Sequence, residues 1–447
     1  MSNSSLPLKY AFSGGLDLPQ WSRVDLNHDG TRDLVAFDRN GHRWITFLAQ
    51  GNQWVAAPAY ADSLPSVREW ALFRDYNNDG KVDLFHASIG GMGVEENTSS
   101  ANTLSFQWAL GTSNYLRTNV GSFLSNLYNI NSDIPGIVDI DGDGDLDIFT
   151  FGQRASVEWH EGLTANGLSF ALNTACWGRF QEDAFTNNLF LGSCTVQKTE
   201  GTGGMLHAGS SILPINLNGD SLFDVLIGDV SYSNVVAAYN AGRVDSAYMN
   251  GTLSNYPQNE PIDLEYFPAL YYEDIDFDSV PDLLLSPNLL GSINTQNAWV
   301  KKNNGTVHFP NFANIDSSFL TSGMLDLGST AHPALADMDF DGDFDLIVSS
   351  AGVRTSAGNY QASLHYFKNV GNSNQPVFEL ADNDFADAGF YNLSSELSPS
   401  LGDLDGDFDA DMIVGTADGK VYYYENTGTL FNPSMTYRGQ LQNIDVG

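Results

Sequence analysis

Seven times in this chain a run of alternating acidic residues turns at a glycine or its substitute, ends on an aspartate and enters an apolar stretch. The copies read DLNHDGTRDLV from Asp25, DYNNDGKVDLF from Asp75, DIDGDGDLDIF from Asp139 and NLNGDSLFDVL from Asn216. They continue as DIDFDSVPDLL from Asp274, DMDFDGDFDLI from Asp337 and DLDGDFDADMI from Asp403. Successive copies start about 50 to 77 residues apart. Self-similarity at such a period marks a fold that grows by repetition, each unit burying its apolar face against the next. Repetition also accommodates the length: 447 residues exceed what one conventional core of roughly 300 residues holds.

The flanks repeat with the motif. A short strand-like piece precedes it, as in QWSRVDL, REWALFRDY and HPALADM. The apolar stretch after it reads as a second strand, followed by a turn and an aromatic-rich third strand, VYYYEN in the last copy and ASLHYFKNV in the sixth. A fourth strand, such as PVFELAD, follows. No long amphipathic helical pattern interrupts this order. Four-stranded antiparallel units at this period predict an all-β, seven-bladed β-propeller over residues 1–447 as one domain. The residues before Asp25 and after Asp403 together make about one repeat, so the N- and C-terminal strands are expected to complete a blade jointly and close the ring. An open β-solenoid is the alternative, but it would call for shorter, more uniform repeats.

Positions 1, 3, 5 and 9 of each motif carry oxygen-bearing side chains. These are Asp25, Asn27, Asp29 and Asp33; Asp75, Asn77, Asp79 and Asp83; Asp139, Asp141, Asp143 and Asp147; and Asn216, Asn218, Asp220 and Asp224. The last three sets are Asp274, Asp276, Asp278 and Asp282; Asp337, Asp339, Asp341 and Asp345; and Asp403, Asp405, Asp407 and Asp411. An all-oxygen loop with a glycine at its sharpest turn is how a short segment wraps a hard cation, and so many ligands favour Ca²⁺ over Mg²⁺, zinc or copper. Ordinary Asp-Gly hairpin turns would account for Gly30 or Gly80 but leave the recurring ninth aspartate unexplained. About six calcium sites are expected. The loop from Asn216 is the doubtful one, with only Asp220 and Asp224 as carboxylates, and Phe408 stands where the seventh copy should have glycine. Twenty-four of the chain's 55 acidic residues lie at these positions. Left uncompensated, such clusters would oppose folding.

With 19 basic residues against 55 acidic ones, the net charge of −36 argues against nucleic acid and anionic membrane surfaces, and for cations, neutral ligands or basic partners. No apolar run reaches membrane-spanning length. The opening MSNSSLPLKYAF lacks the pattern of a signal peptide, so an exported chain would have lost its signal before this sequence begins. Cys176 and Cys194 fit no zinc spacing. They read either as two buried thiols or as a disulfide, which an extracellular setting favours. Weak, extracellular-type calcium loops point to the same setting.

At the aspartate loops the chain resembles the VCBS and FG-GAP repeat proteins, a family related to the propeller of the integrin α-subunit head. FSGGLDLPQWSRVDLNHDGTRDLVAFDRNG, ACWGRF and HAGSSILPINLNGD resemble its secreted members in Bacteroidota-type bacteria. The resemblance covers essentially the whole chain. It implies a calcium-bearing propeller at the cell surface or outside the cell and, by analogy, type IX secretion. It says little about activity, because propellers host many functions.

No HExxH, GxSxG, phosphate loop or Cys-His pair stands out. His28, His42, His86, His160 and His365 are scattered beside loops and strands. Trp44, Trp108, Trp159 and Trp299 fall in strand-like segments and read as core. The expectation is therefore a non-catalytic module that binds a protein partner or acts as a scaffold, as a monomer or within a larger surface assembly. A carbohydrate-binding lectin is the alternative, and a polysaccharide lyase or glycoside hydrolase a more distant one. The face opposite the aspartate loops is expected to carry the partner site, through long loops such as HASIGGMGVEENTSSANT from His86, SPNLLGSINTQNA from Ser286, SAGVRTSAGNY from Ser350 and QKTEGTGGMLHAGS from Gln197.

Overall fold

The computed structural model describes residues 7–444 except 101–102, 153–154, 184–185, 195–208, 293, 355–359, 390, 392 and 394–395. Their secondary structure is strands, turns and short 3-10 turns. None of their helices is long and apolar enough to cross a membrane.

Each of the seven motifs joins the first two strands of its own four-stranded antiparallel unit. In sheet 1 the strands are Pro19–Val24, Asp33–Asp38, Arg43–Ala49 and Trp54–Ala56, hydrogen-bonded in that order. The first strands of sheets 2 to 7 are Ala71–Arg74, Gly136–Val138, Ser210–Ile215, Pro268–Glu273, His332–Ala336 and Ser398–Gly402. Six of these sheets have four strands. The third has six, because the ribbon Arg117–Val120 and Phe123–Asn126 adds to its outer edge, and a separate two-stranded ribbon pairs Phe180–Glu182 with Leu189–Leu191.

The ninth aspartate starts the second strand, and the apolar run after it is that strand's body. All six residues of Asp33–Asp38, Asp282–Pro287 and Asp345–Ser350 are buried. Alternate side chains of a strand covered on both faces meet a neighbouring sheet on each side, which is why these runs are continuously apolar. Burying each such Val, Leu, Ile or Phe contributes about 1.5–3 kcal/mol.

Strands consecutive in sequence make up every sheet, so among the described residues no blade is completed jointly by N- and C-terminal strands, contrary to expectation. The physical reason is the position of the motif within its repeat. One strand precedes each motif and three follow it. The residues before Asp25 therefore supply only Pro19–Val24, while those after Asp411 supply Val421–Asn426 and Met435–Gln440 and complete sheet 7 by themselves.

The chain divides into two compact units, 1–325 and 326–447. In the first, contacts pass from each first strand to the next. Gln20 Oε1 accepts from Ala71 N at 2.8 Å, Arg74 Nε donates to Ile137 O at 3.1 Å, Ile212 N to Ile134 O at 3.0 Å, and Leu270 N to Ser211 Oγ at 3.1 Å. The fifth sheet then meets the first: Ser286 Oγ donates to Pro19 O, and Trp54 Nε1 to Ile275 O at 2.9 Å. The first strand thus has sheet 2 on one flank and sheet 5 on the other. In the second unit, Ile347, Leu364 and Tyr366 of sheet 6 pack with Met412, Val414 and Tyr424 of sheet 7.

One expected loop is not a loop. HASIGGMGVEENTSSANT contains the end of one strand, Asp83–Ser88, and the whole of the next, Gly91–Asn97, joined by a tight turn at Gly90 with φ 92°. Gly91 and Gly93 are strand residues with close neighbours: a Cβ on Gly93 would lie 2.6 Å from the His86 ring. The stretch from Gln197 lies almost wholly outside the described residues, and residues 355–359 of the stretch from Ser350 are likewise outside them.

Candidate metal centres

The loops owe their shape to two left-handed residues each. Positions 4 and 6 have positive φ in all seven copies, including Gly30 (86°), Gly80 (87°), Gly144 (92°) and Gly342 (91°) at position 6. Ser221 (69°), Ser279 (72°) and Phe408 (75°) adopt the same conformation without glycine's freedom. This winding turns the loop amides inward. The first-position aspartate accepts the position-6 N–H at 2.9–3.2 Å in every copy but the fourth. There Asn216 Oδ1 takes Gly219 N instead, at 2.8 Å. The fifth-position carboxylate accepts the position-7 N–H at 2.8–3.1 Å in all seven.

The ninth aspartate has a task that does not involve an ion. Its Oδ2 accepts the N–H of position 2 at 2.8–3.3 Å, and its Oδ1 accepts an N–H at the end of the third strand at 2.7–3.0 Å. These seven carboxylates are at most 2% exposed. They staple the start of the loop to the third strand. Burial pushes Asp83, Asp147, Asp224 and Asp282 up to about 6, against the pull of the two amides, which favour the charged form. The recurrence of an aspartate here thus has a structural cause as well as any ligand role.

In five sheets the third-strand residue that donates to this carboxylate is an asparagine: Asn97, Asn240, Asn303, Asn369 or Asn426. The last four open an Asn-x-Gly triplet, and each side-chain oxygen accepts the glycine N–H at 2.9–3.2 Å. Each also accepts an N–H from the start of the fourth strand's approach, at 2.8–3.0 Å. Sequence reasoning missed these residues, although the repeating triplet was there to be found.

Four loops bring three carboxylates together, with one oxygen from each within 4.8 Å of the others: Asp139, Asp141 and Asp147; Asp274, Asp276 and Asp282; Asp337, Asp339 and Asp341; Asp403, Asp405 and Asp411. They are the four copies whose expected ligand sets are all aspartate. The buried Oδ1 atoms of Asp276 and Asp339 accept no hydrogen bond. Their Oδ2 atoms pair with Lys302 and Lys368. An all-oxygen set with unused buried lone pairs fits a hard cation.

Copies 1, 2 and 4 are built differently. Position 3 is Asn27, Asn77 or Asn218. Asn27 and Asn218 each donate through Nδ2 to the fifth-position aspartate, Asp29 or Asp220, at 3.0 Å, which satisfies part of the acidic set internally.

The remaining candidates fall where the strand reading puts them. Trp44, Trp108, Trp159 and Trp299 lie in strands, and Trp159 Nε1 donates to Asp147 Oδ1 at 3.0 Å. His28 occupies a position-4 turn with φ 60°, and buried His160 contacts Thr118 Oγ1 at 3.1 Å. Among the described residues the carboxylate clusters include no histidine. Cys176 and Cys194 form a disulfide.

No family model and no curated protein matches this chain. Solved structures with some likeness include an Agrocybe aegerita lectin that recognises non-reducing terminal N-acetylglucosamine. It is 16% identical, with 94% of each chain covered and a TM-score of 0.29. The periplasmic gluconolactonase PpgL of Pseudomonas aeruginosa is 10% identical over 96% of each chain, with a TM-score of 0.28. BBS1N, solved in complex with ARL6DN, is 10% identical over 94% of this chain and 96% of its own, with a TM-score of 0.27. Likeness at this level carries no argument about the present chain.

Proposed function

We propose that this chain is a calcium-stabilised, propeller-type binding or scaffold module that works at the cell surface or outside the cell and has no catalytic role. The observation that carries the calcium reading is the set of four all-aspartate loops, two of which hold buried carboxylate oxygens without hydrogen bonds. Asp139, Asp141 and Asp147, and their counterparts in copies 5, 6 and 7, would hold the ion most firmly. Asn27, Asn77 and Asn218 weaken the other three sets. An ion that binds only the folded loops contributes RT ln(1 + [L]/Kd), about 1.4 kcal/mol per site at tenfold saturation. The disulfide fits an oxidising compartment.

The end of the 1–325 unit opposite the motif loops supports a protein partner over a glycan. First strands begin there and second strands end there. Phe12, Ile89, Tyr266 and Leu290 lie in those connections and are exposed, Ile89 by 93%. Ile89 and Leu290 offer apolar area but no ring to stack on a sugar, and apolar side chains of a protein partner can cover the rings of Phe12 and Tyr266 as well.

The decisive experiment measures metal content and thermal unfolding on the same sample, in millimolar Ca²⁺ and after chelation. Four or more calcium ions per chain and a large drop in melting temperature on chelation are expected. Protein that binds no calcium and melts unchanged would overturn the calcium reading.

A further inference from the structure

A cavity of about 350 Å³ opens at the motif-loop end of the 1–325 unit, among its five first strands. Its walls include Leu72, Ile137, Ile212 and Tyr272, and three arginines line it: Arg23, Arg32 and Arg74. The chain has only 19 basic residues and a net charge of −36, so three guanidinium groups in one cavity are a marked local concentration of arginine.

The three arginines are not equivalent. Arg23 is committed to the framework. Its Nε donates to Arg32 O at 3.1 Å, its Nη1 donates to Asp274 O at 2.7 Å, and the same Nη1 lies 3.4 Å from Asp274 Oδ2. It thereby joins sheets 1 and 5 and fixes the main chain at Arg32. Arg74 is half committed: Nε donates to Ile137 O, Nη1 donates to Phe73 O at 2.7 Å, and Nη1 stands 3.6 Å from Glu273 Oε1. Among the described residues nothing accepts from Arg74 Nη2, and the Arg32 guanidinium has no hydrogen-bond or ion-pair partner.

Two of the three guanidinium groups are paired. Arg23 is paired with Asp274 and Arg74 with Glu273, while the field of Arg32 acts on both Arg74 and Glu273 without an ion pair to either. Asp75 also borders the cavity and offsets the charge of Arg32 overall, but its carboxylate oxygens accept the Asp79 and Gly80 amides of its own loop, which leaves the Arg32 N–H donors unused. Unused guanidinium N–H donors present a planar fork suited to a carboxylate. The apolar walls ask for an organic body behind the charge, and a multiply charged phosphate would face Glu273 and Asp274. The volume lies in the range of small-ligand pockets.

We propose that this cavity binds a small organic monocarboxylate, its carboxylate held by Arg32 and Arg74 Nη2 and its apolar face against Leu72, Ile137, Ile212 and Tyr272. Strands place Arg23 and Arg74, and the Arg23 side chain holds the Arg32 carbonyl; Arg32 is itself position 8 of the first motif, so the titration is run with and without calcium to separate the two readings.

The test is calorimetric titration of hexanoate, benzoate and glucuronate, with inorganic phosphate as the comparison, into the full chain in calcium buffer and again after chelation. At least one carboxylate should bind once per chain and more tightly than phosphate. Arg32→Gln removes a side chain without partners, so it should leave melting and calcium content unchanged while weakening that ligand about tenfold or more. Arg74→Met should weaken it as well. The proposal is overturned if none of the three acids binds at up to about 10 mM, if phosphate binds better, or if Arg32→Gln leaves the affinity intact. Metal content measured on the same samples keeps this outcome distinct from failure of the calcium reading.

Discussion

The seventh loop offers a quantitative test of what the sixth position does. Phe408 sits at φ 75° with 78% of its surface exposed, so it bears the left-handed conformation and packs against little. A non-glycine residue in that region costs about 1–2 kcal/mol, and glycine gives back roughly 0.5–1 kcal/mol of that through the greater entropy of its unfolded chain. Phe408→Gly should therefore stabilise the protein by about 1 kcal/mol, or roughly 4 °C in the transition of a unit this size. The hydrogen bond from the position-408 N–H to Asp403 Oδ2 belongs to the main chain and survives the change. The reciprocal substitution is Gly342→Phe in the sixth loop, where φ is 91° and an added Cβ meets nothing within 4 Å. It should destabilise by a similar amount. Both positions lie in the 326–447 unit, so guanidinium unfolding reads the two changes against the same background. If Phe408→Gly is neutral or destabilising while Gly342→Phe costs nothing, backbone conformation at position 6 does not govern these loops and the reasoning fails.

Three further outcomes are expected. In Asp224→Ala the amides of Leu217 and Asn240 lose their acceptor, so their hydrogen exchange should accelerate equally with and without calcium; acceleration confined to one condition would show the staple to be metal-dependent. Replacing Cys176 and Cys194 by serine opens a loop of 18-residue separation and should lower stability by about 3 kcal/mol, read from denaturant midpoints. Burial lifts Asp17 from 3.8 to about 6, so its folded form holds its proton more tightly than the unfolded chain does. That stability is fully present below about pH 3.8 and is lost as pH rises through about 6. Asp17→Asn should flatten this part of the stability–pH profile, and an unchanged slope would assign it to other groups.

Much of the local structure was legible in the chain. The motif alone located the first two strands of all seven sheets, because an apolar run after Asp33, Asp282 or Asp345 has to be buried on both faces. The turn at position 6 was legible too, since glycine is the residue that winds left-handed without strain, and Phe408 could be marked in advance as an exception. The four triads drawn together in space are the four all-aspartate copies, because nine consecutive residues fix their own loop. Other features lay beyond local reasoning. The ninth aspartate looked like a ligand alone, since its partner amides at Asn97, Asn240 or Asn369 lie 14 to 24 residues away on another strand. The expected joint blade failed because counting residues at the two ends says nothing about how many strands those residues form. The arginine cavity was invisible for the same reason: Arg23, Arg32 and Arg74 meet Glu273 only when sheet 5 packs against sheet 1. Loops and strands follow from neighbours in sequence, whereas a cavity lined by five sheets exists only once the chain has returned to its beginning.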